Sequence, residues 1–394
     1  MNAQSLIEQH LPSLVKLRHR LHQIPELNFE EFKTAGVIRE ELNRLEIEHV
    51  DGVEGAETAT IAVVGDQSRP CVALRADIDA LPIEEQTGLP YRSTHAGRMH
   101  ACGHDGHATT MLGVAATLKQ LEKQLSVCVK LIWQPAEEGG GGGKVLCKAG
   151  VLDGRIGPKV RAIFGLHGWP GMKVGMVSTK PGPLLAATDT FFATMTGQSC
   201  HAAYPHLGRD PIVAACEAVV NLQQFVSRDL DPTESAIITV GKIEGGTTTN
   251  IIPDRVTFEG TVRTLSSNAR RLVRVCFERR CHGIASAAGC TFDVHWTDGY
   301  PATVNDPAMA DFVAKVARQT LGNDHFVPAA RPTMGGEDFS YYLEQVPGCF
   351  FFLGVQPHDR ADYPSLHNDH FDFTDDAIAV GVRMFVELVM NFKA

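Results

Sequence analysis

Apolar positions recur with two periods along this chain. Residues 5–22 place Leu6, Leu14, Leu17 and Leu21 on one stripe at helical spacing, and the Ile24–Pro25 turn stops it. Residues 30–45 and 108–124 carry the same signature, the latter through Met111, Leu112, Ala115, Leu118 and Leu121. Between and after them lie short apolar runs at 58–65, 71–77, 127–133 and 162–170, which read as strands. The first two look like paired neighbours. The near-continuous apolar run at 127–133 suits a strand covered on both faces.

After Pro181-Gly-Pro183 the texture changes. Strands at 187–197, 237–243, 256–265 and 291–296, with helices at 211–228 and 268–288, give the order βαββαβ. That order makes one small sheet covered by two helices, a separate α+β module. The first texture then resumes with a helix at 307–321, a strand at 349–354 and a closing helix at 375–392. The expectation is a two-domain α/β protein. The larger sheet domain (1–183 and 299–394) is split in sequence by an insert at 184–298.

Composition narrows the class. Of 394 residues, 44% are hydrophobic and 21% charged, the profile of a globular chain, and the net charge is −10. An acidic surface disfavours nucleic acid and anionic membrane as partners. No run approaches bilayer length, and the first ten residues show neither a positive n-region nor an apolar h-region. Ten cysteines are scattered without a CxxC pair. Together these point to the cytoplasm.

The chemistry gathers at strand ends. Met99-His-Ala-Cys-Gly-His-Asp-Gly-His-Ala108 packs Cys102, His104, Asp105 and His107 around two glycines ahead of a helix. Thiolate, imidazole and carboxylate are the side chains that bind divalent transition metals. The strand at 71–77 runs into Asp77-Ile-Asp79, and alternation puts both carboxylates on one face. The strand at 127–133 leads to Glu137-Glu138 and a run of five glycines up to Lys144. That run has the superficial look of a phosphate loop, but Glu138 and Val145 occupy the places of its required Gly and Ser/Thr, so an ATP reading fails. Of two adjacent carboxylates, one can bind metal while the other faces a water. His167 ends the run at 162–170, and His367 or His370 could complete a metal site.

Cys102, His104, Glu138, His167 and His367 are five ligand side chains, more than one catalytic zinc takes, and they suit two cations sharing a water. Glu137 is then the spare base that takes the water's proton and returns it to a departing amine, with Asp79 orienting a ligand from behind. In the insert, His201 could donate to an oxyanion, although a lone histidine is more often a surface hydrogen bonder; Asn250 and Arg263 could bind a substrate carboxylate, and the roles of turn residue and exposed strand residue fit them equally well.

At this point the chain closely resembles the M20 metallopeptidase family, in its amidohydrolase branch of hippurate, auxin-conjugate and N-acyl-amino-acid hydrolases. The resemblance runs nearly end to end, through LHQIPELNFEE, LRADIDALPIEE, MHACGHDGHATTMLG, QPAEEGGGG, GLHGWP, HAAYPHLGRDPI, TTTNIIPD, GTVRT, GGEDFSYY and LHNDHFDF. It implies a two-metal amidohydrolase that cleaves N-acyl or N-aroyl amino acids to a carboxylate and a free amino acid. It implies zinc or manganese, with cobalt or nickel as alternatives, and a homodimer or larger homo-oligomer built through a lid domain. In the family pattern Cys102, His104, Glu138, His167 and His367 are ligands, Glu137 the base and Asp79 the supporting acid. His201 then stabilises the oxyanion, from the same or the other subunit, and Asn250 helps hold substrate. Two departures stand out. Cys200 precedes the lid histidine where the family usually has Gly, and His22-Gln-Ile-Pro25 replaces the commoner His-Pro. A metallo-dipeptidase on the same site and a non-catalytic binding protein on this scaffold are the competing readings.

Overall fold

The computed structural model describes residues 2–393. The chain begins with helices α1 (Ala3–His22) and α2 (Phe32–Arg44), then strands β1 (His49–Val53), β2 (Ala56–Val64) and β3 (Cys71–Asp77). Helix α3 (His104–Gln120), β4 (Cys128–Gln134), α4 (Gly142–Ala149), β5 (Val160–Lys173) and β6 (Val177–Ser178) follow. After the short β7 (Gly182–Leu185) come β8 (Ala187–Thr196), β9 (Cys200–His201), α5 (Pro211–Arg228), β10 (Ala236–Gly245), β11 (Ile251–Ile252), β12 (Arg255–Thr264), α6 (Ser267–Ala287) and β13 (Thr291–Asp298). The chain closes with β14 (Thr303–Asn305), α7 (Pro307–Leu321), α8 (Ser340–Leu343), β15 (Gly348–Gln356) and α9 (Asp376–Asn391). Two compact units result. One takes the chain up to Leu184, Val304–Arg331 and everything from Asp338, and the other takes Leu185–Thr303 and Pro332–Glu337. The second unit thus runs past residue 298 and recovers six residues from beyond α7.

The first unit is built on a seven-stranded mixed sheet in the order β1-β2-β4-β3-β5-β15-β6. Every residue of β3, β4 and β15 is buried, which explains their unbroken apolar runs. The expected pairing of β2 with β3 is not found. Strand β4 lies between them, antiparallel to β2 and parallel to β3, because a strand apolar on both faces gains most from a partner on each edge. Helices α1, α3 and α9 supply one covering layer: Leu14, Leu112 and Val382 belong to its core. Gly113 of α3 sits where a Cβ would stand 2.6 Å from Val382 Cγ2 and 2.8 Å from Leu14 Cδ1, so its missing side chain is what lets these helices close.

The second unit is the βαββαβ module, an antiparallel sheet in the order β10-β12-β8-β13. Phe191, Phe258, Phe277 and Leu222 fill its core beneath α5 and α6. A two-stranded ribbon pairs β9 with β11.

A buried ionic chain ties α1 to α3. Arg18 Nε lies 3.1 Å from Asp105 Oδ2, and the same oxygen is 2.9 Å from His22 Nδ1. His22 Nε2 reaches Glu85 Oε1 at 3.3 Å, and the Arg18 guanidinium also pairs with Asp372 and Asp375 before α9. Burial alone would favour neutral His22, but the Asp105 and Glu85 carboxylates outweigh it and push its pKa up to about 9. Against burial, His22 and Arg18 hold Asp105 well below the carboxylate range.

Gly113→Ala overpacks the contact of α1, α3 and α9 and should cost about 1–3 kcal/mol, read as a lowered Tm with the fold retained. Folded His22 titrates near 9 against an ordinary 6.5, so the native state holds a proton that the unfolded chain releases in between. The advantage of wild type over His22→Gln in urea unfolding should therefore be greatest below pH 6.5 and shrink as pH rises through about 9. A gap that widens with pH would contradict the pairing.

Candidate active site

The chemistry collects where β3 and β4 end and α3 begins. Arg75, Asp77 and Asp79 alternate along β3 and its extension, so their side chains share one face. Arg75 holds the face together: its guanidinium reaches Asp77 Oδ2 at 2.5 Å, Asp338 Oδ1 at 2.7 Å and Gln134 Oε1 at 2.9 Å. Gln134 in turn donates to Asp338 and accepts from the Tyr342 hydroxyl at 2.9 Å. Sequence reasoning missed Arg75, Gln134, Asp338 and Tyr342. Their signal was present in the motifs containing them, but which charge meets which is set by the sheet order.

Helix α3 begins four residues before its periodic apolar stripe. Gly103 adopts φ 84°, a left-handed conformation suited to glycine, and His104 opens the helix. That geometry sends the first-turn side chains in different directions. Asp105 joins the ionic chain to α1. His107 Nδ1 donates to Asp77 Oδ1 at 2.6 Å, and the Gly168 N–H donates to His107 Nε2 at 2.8 Å. Both ring nitrogens are then engaged, and His107 has no lone pair to offer a cation. His100 is buried with neither nitrogen hydrogen-bonded, and burial pushes its pKa down to about 4.

The remaining candidates converge. His104 Nδ1 stands 3.3 Å from Asp79 Oδ1, leaving Nε2 facing Glu138 Oε1 at 4.0 Å. His167 donates Nδ1–H to the Gly168 carbonyl at 2.8 Å, so its Nε2 lone pair points at Cys102 Sγ, 3.3 Å away. His167 lies in the middle of β5 rather than at a strand end, since β5 continues to Lys173 through exposed and half-buried residues. His367 brings Nε2 to 3.2 Å from Glu138 Oε1. It does so from φ 63°, a conformation costly for a residue with a Cβ, pinned by its N–H to the Ala101 carbonyl at 2.8 Å. His370 instead pairs with Asp369 at 2.7 Å on the exposed side.

Two overlapping donor groups emerge, Cys102–His104–His167 and Cys102–Glu138–His367, each with its atoms within 4.8 Å of one another. They meet at the thiol. Cys102, His104 and His167 are almost fully buried. His104 Nε2 and Glu138 Oε1 are buried without a hydrogen bond. Burial would lower the His104 pKa, but Asp77 and Asp79 push it up to about 10. Burial and the Glu138 and Glu137 charges raise the Cys102 thiol well above its ordinary value. A thiol, imidazoles and carboxylates packed this closely, with polar atoms lacking partners, fit divalent cations better than any arrangement of protons. Two imidazoles anchored through Nδ1, by a carboxylate and a carbonyl, match the way metal-binding histidines are oriented. Glu137, also buried, accepts from the Asp338 N–H at 3.4 Å and lies with His104 and Glu138 in a further group.

In the second unit, the β9–β11 ribbon sets His201 opposite Ile251, and the Ala202 N–H donates to the Asn250 carbonyl at 3.0 Å, so His201 and Asn250 are neighbours. The exposed His201 accepts from the Ala203 N–H at Nδ1, which leaves Nε2 as its outward donor. Arg263 is half-buried, bonded to the neutral oxygens of Thr261 and Val262. Cys200 needs no left-handed backbone, and its thiol packs where Gly208 lacks a side chain.

Known proteins place this geometry. The chain is 44% identical over 357 residues to N-acetyl-L-cysteine deacetylase of Bacillus subtilis, covering 90% of this chain and 83% of that one. It is 39% identical to IAA-amino acid hydrolase ILR1-like 4 of Arabidopsis thaliana over 96% of this chain and 85% of the other. The fold superposes with a TM-score of 0.85, at 36% identity, on the Bacillus subtilis YXEP protein, described as a dinuclear metal binding peptidase, covering 97% of this chain and 98% of that one. With the sequence profile of Peptidase family M20/M25/M40 matching residues 73–391, this chain belongs to that family.

Proposed function

We propose that the protein is a metal-dependent amidohydrolase that cleaves N-acyl or N-aroyl amino acids to a carboxylate and a free amino acid. The observation that carries this reading is the pair of donor groups sharing Cys102, with the buried carboxylate of Glu137 beside them. The relatives' names, a deacetylase of N-acetyl-L-cysteine and a hydrolase of IAA-amino acids, support an acylated amino acid as the substrate class.

In this proposal Cys102, His104, Glu138, His167 and His367 hold two divalent cations, zinc or manganese, with cobalt or nickel as alternatives. When bound, these ions polarise the amide carbonyl and acidify water at neutral pH. Glu137 takes a proton from the attacking water and hands it to the amide nitrogen as the C–N bond breaks. Asp79 holds His104 by Nδ1 and the Glu138 N–H, at 2.9 Å, by its other oxygen, so one carboxylate sets two neighbouring groups. His201 serves the developing oxyanion, and Asn250 and Arg263 the substrate carboxylate; the adjacency of His201 and Asn250 and the neutral partners of Arg263 support these roles. The second unit acts as a lid and dimerisation domain, with Val213 and Val220 exposed on α5 as surface for a second copy. A cytoplasmic location belongs to the same reading and rests on cysteines that are scattered and mostly buried as thiols.

Chelation should abolish turnover of N-benzoylglycine and N-acetyl amino acids, and readdition of Mn²⁺, Zn²⁺ or Co²⁺ should restore it. Dipeptides turned over far better than every acyl substrate would overturn the substrate class. Glu137→Gln should lower kcat by about 10²–10⁴-fold while the metal content, read by elemental analysis, stays at the wild-type value. Unchanged kcat would remove Glu137 from its role.

A further inference from the structure

The motif Leu21–Glu31 has so far accounted only for His22. Its far end does something separate. Glu31 is fully buried, and its carboxylate collects three donors: the Phe29 and Ala136 N–H groups on Oε1, both at 3.0 Å, and the Thr58 hydroxyl on Oε2 at 2.6 Å. Two residues from Phe29, whose own φ is 60°, the chain thus reaches across to the residue immediately before Glu137.

Ala136 has φ 55°, a left-handed conformation that an alanine does not hold unless its surroundings impose it. The surroundings do so from several sides. The Ala136 N–H is held by Glu31, and its carbonyl accepts from the Gly142 N–H at 3.1 Å. A Cβ at Gly140 would meet Ala136 Cβ at 2.6 Å and the Phe29 ring at 3.0 Å, and one at Gly142 would meet the Pro135 carbonyl oxygen at 1.8 Å. The turn is folded against itself and against Phe29, with no room for another backbone path.

One residue further on, Glu138 is held at both backbone polar groups by side chains from elsewhere. Its N–H donates to Asp79 Oδ2 at 2.9 Å, and its carbonyl accepts from Asn28 Nδ2 at 3.1 Å. The Cα positions of Glu137 and Glu138 are therefore fixed by Asn28, Glu31 and Asp79, and each carboxylate can search only its own side-chain torsions. For two adjacent carboxylates that must point to different places, this is the decisive restraint. A release of the Ala136 peptide would rotate both together.

We propose that Asn28 and Glu31 are positioning residues that clamp the Ala136–Glu138 turn and so aim Glu137 and Glu138 at the metal-binding cluster. The inference rests on the roles of Glu137 and Glu138 given under Proposed function. Neither clamp residue has a hydrogen bond to a donor side chain of the cluster. Both act through backbone.

The test uses the full-length protein, with Mn²⁺ titrated by calorimetry in the absence of substrate, and with kcat and KM measured on N-acetyl amino acids at saturating Mn²⁺, well below each variant's Tm. Glu31→Ala should weaken Mn²⁺ binding about tenfold and lower kcat about 10–100-fold, with KM within about threefold of wild type, since small misplacement of reacting groups falls on the chemical step. Asn28→Ala, at a half-buried position, should move both in the same direction by about three- to tenfold. Glu31→Gln should recover to within about threefold, because its amide oxygen accepts both N–H groups and the Thr58 hydroxyl can turn to accept from its nitrogen. A purely structural role would lower Tm and leave kcat and Mn²⁺ affinity of the folded protein untouched. Folded Glu31→Ala and Asn28→Ala with wild-type values of both would overturn the clamp, as would a Glu31→Gln no better than Glu31→Ala. If Glu31→Ala does not fold, Asn28→Ala decides by the same two readouts. If no acyl amino acid is hydrolysed even by wild type, the proposed function fails, and the Mn²⁺ affinities of the variants still support or overturn the clamp.

Discussion

The structure is governed by the cost of burying ionisable groups side by side. Cys102, His104, His107, His167, Asp77, Asp79 and Glu137 are almost wholly removed from solvent. Each such group would demand several kcal/mol if left alone. The protein meets this demand by giving the imidazoles and Asp77 directed partners on the side away from the cluster: Asp79 and Asp77 toward the imidazoles, Arg75 toward Asp77, the Gly168 backbone toward His107 and His167. What stays unpartnered faces inward, where cations would sit. The second ring of contacts decides which lone pairs the first ring can present.

That arrangement explains why the strain lies where it does. Gly103, Ala136 and His367 take left-handed backbone conformations; the first precedes the candidate ligand His104, the second the candidate base Glu137, and the third is itself a candidate ligand. A regular helix or strand could not aim Cys102, Glu138 and His367 at one point. The bends are held by hydrogen bonds from remote side chains, Glu31 and Asp79 among them, and by the Ala101 carbonyl. Stability spent on these bends is recovered in a sheet whose central strands are covered on both faces.

Much of the plan was legible in the chain. The periodic stripes located the helices, with 211–228 and 307–321 read to the residue, because each has an Asp-Pro start and a clear end to its apolar face. The βαββαβ insert followed from its strand runs and two amphipathic helices after the break at Pro181-Gly-Pro183. The pairing of β2 with β3 failed because an apolar run shows that a strand is buried and says nothing about which strands flank it. The start of α3 was placed late since its first turn is polar and folds on glycine geometry instead of apolar period. His167 was read as a strand end because β5 loses its apolar character there while its ladder to β15 continues.

By itself, the sequence determined the inventory: which side chains could bind a metal, that Glu137 and Glu138 stand adjacent, and that the glycine run ending at Lys144 is no phosphate loop, since Glu138 and Val145 stand at its required positions. Residue type and spacing suffice for these, because donor chemistry belongs to the side chain and spacing to the local backbone. Only the tertiary structure decided the assignment among near-equivalent candidates. His107 and Asp105 have the chemistry of ligands, yet the first is saturated by Asp77 and Gly168 and the second is turned to Arg18 and His22. Asn28 and Glu31 have no special chemistry, yet they hold the turn that carries the two glutamates. A lone pair is available or spent according to its neighbours in space, and those neighbours lie up to 357 residues away along the chain.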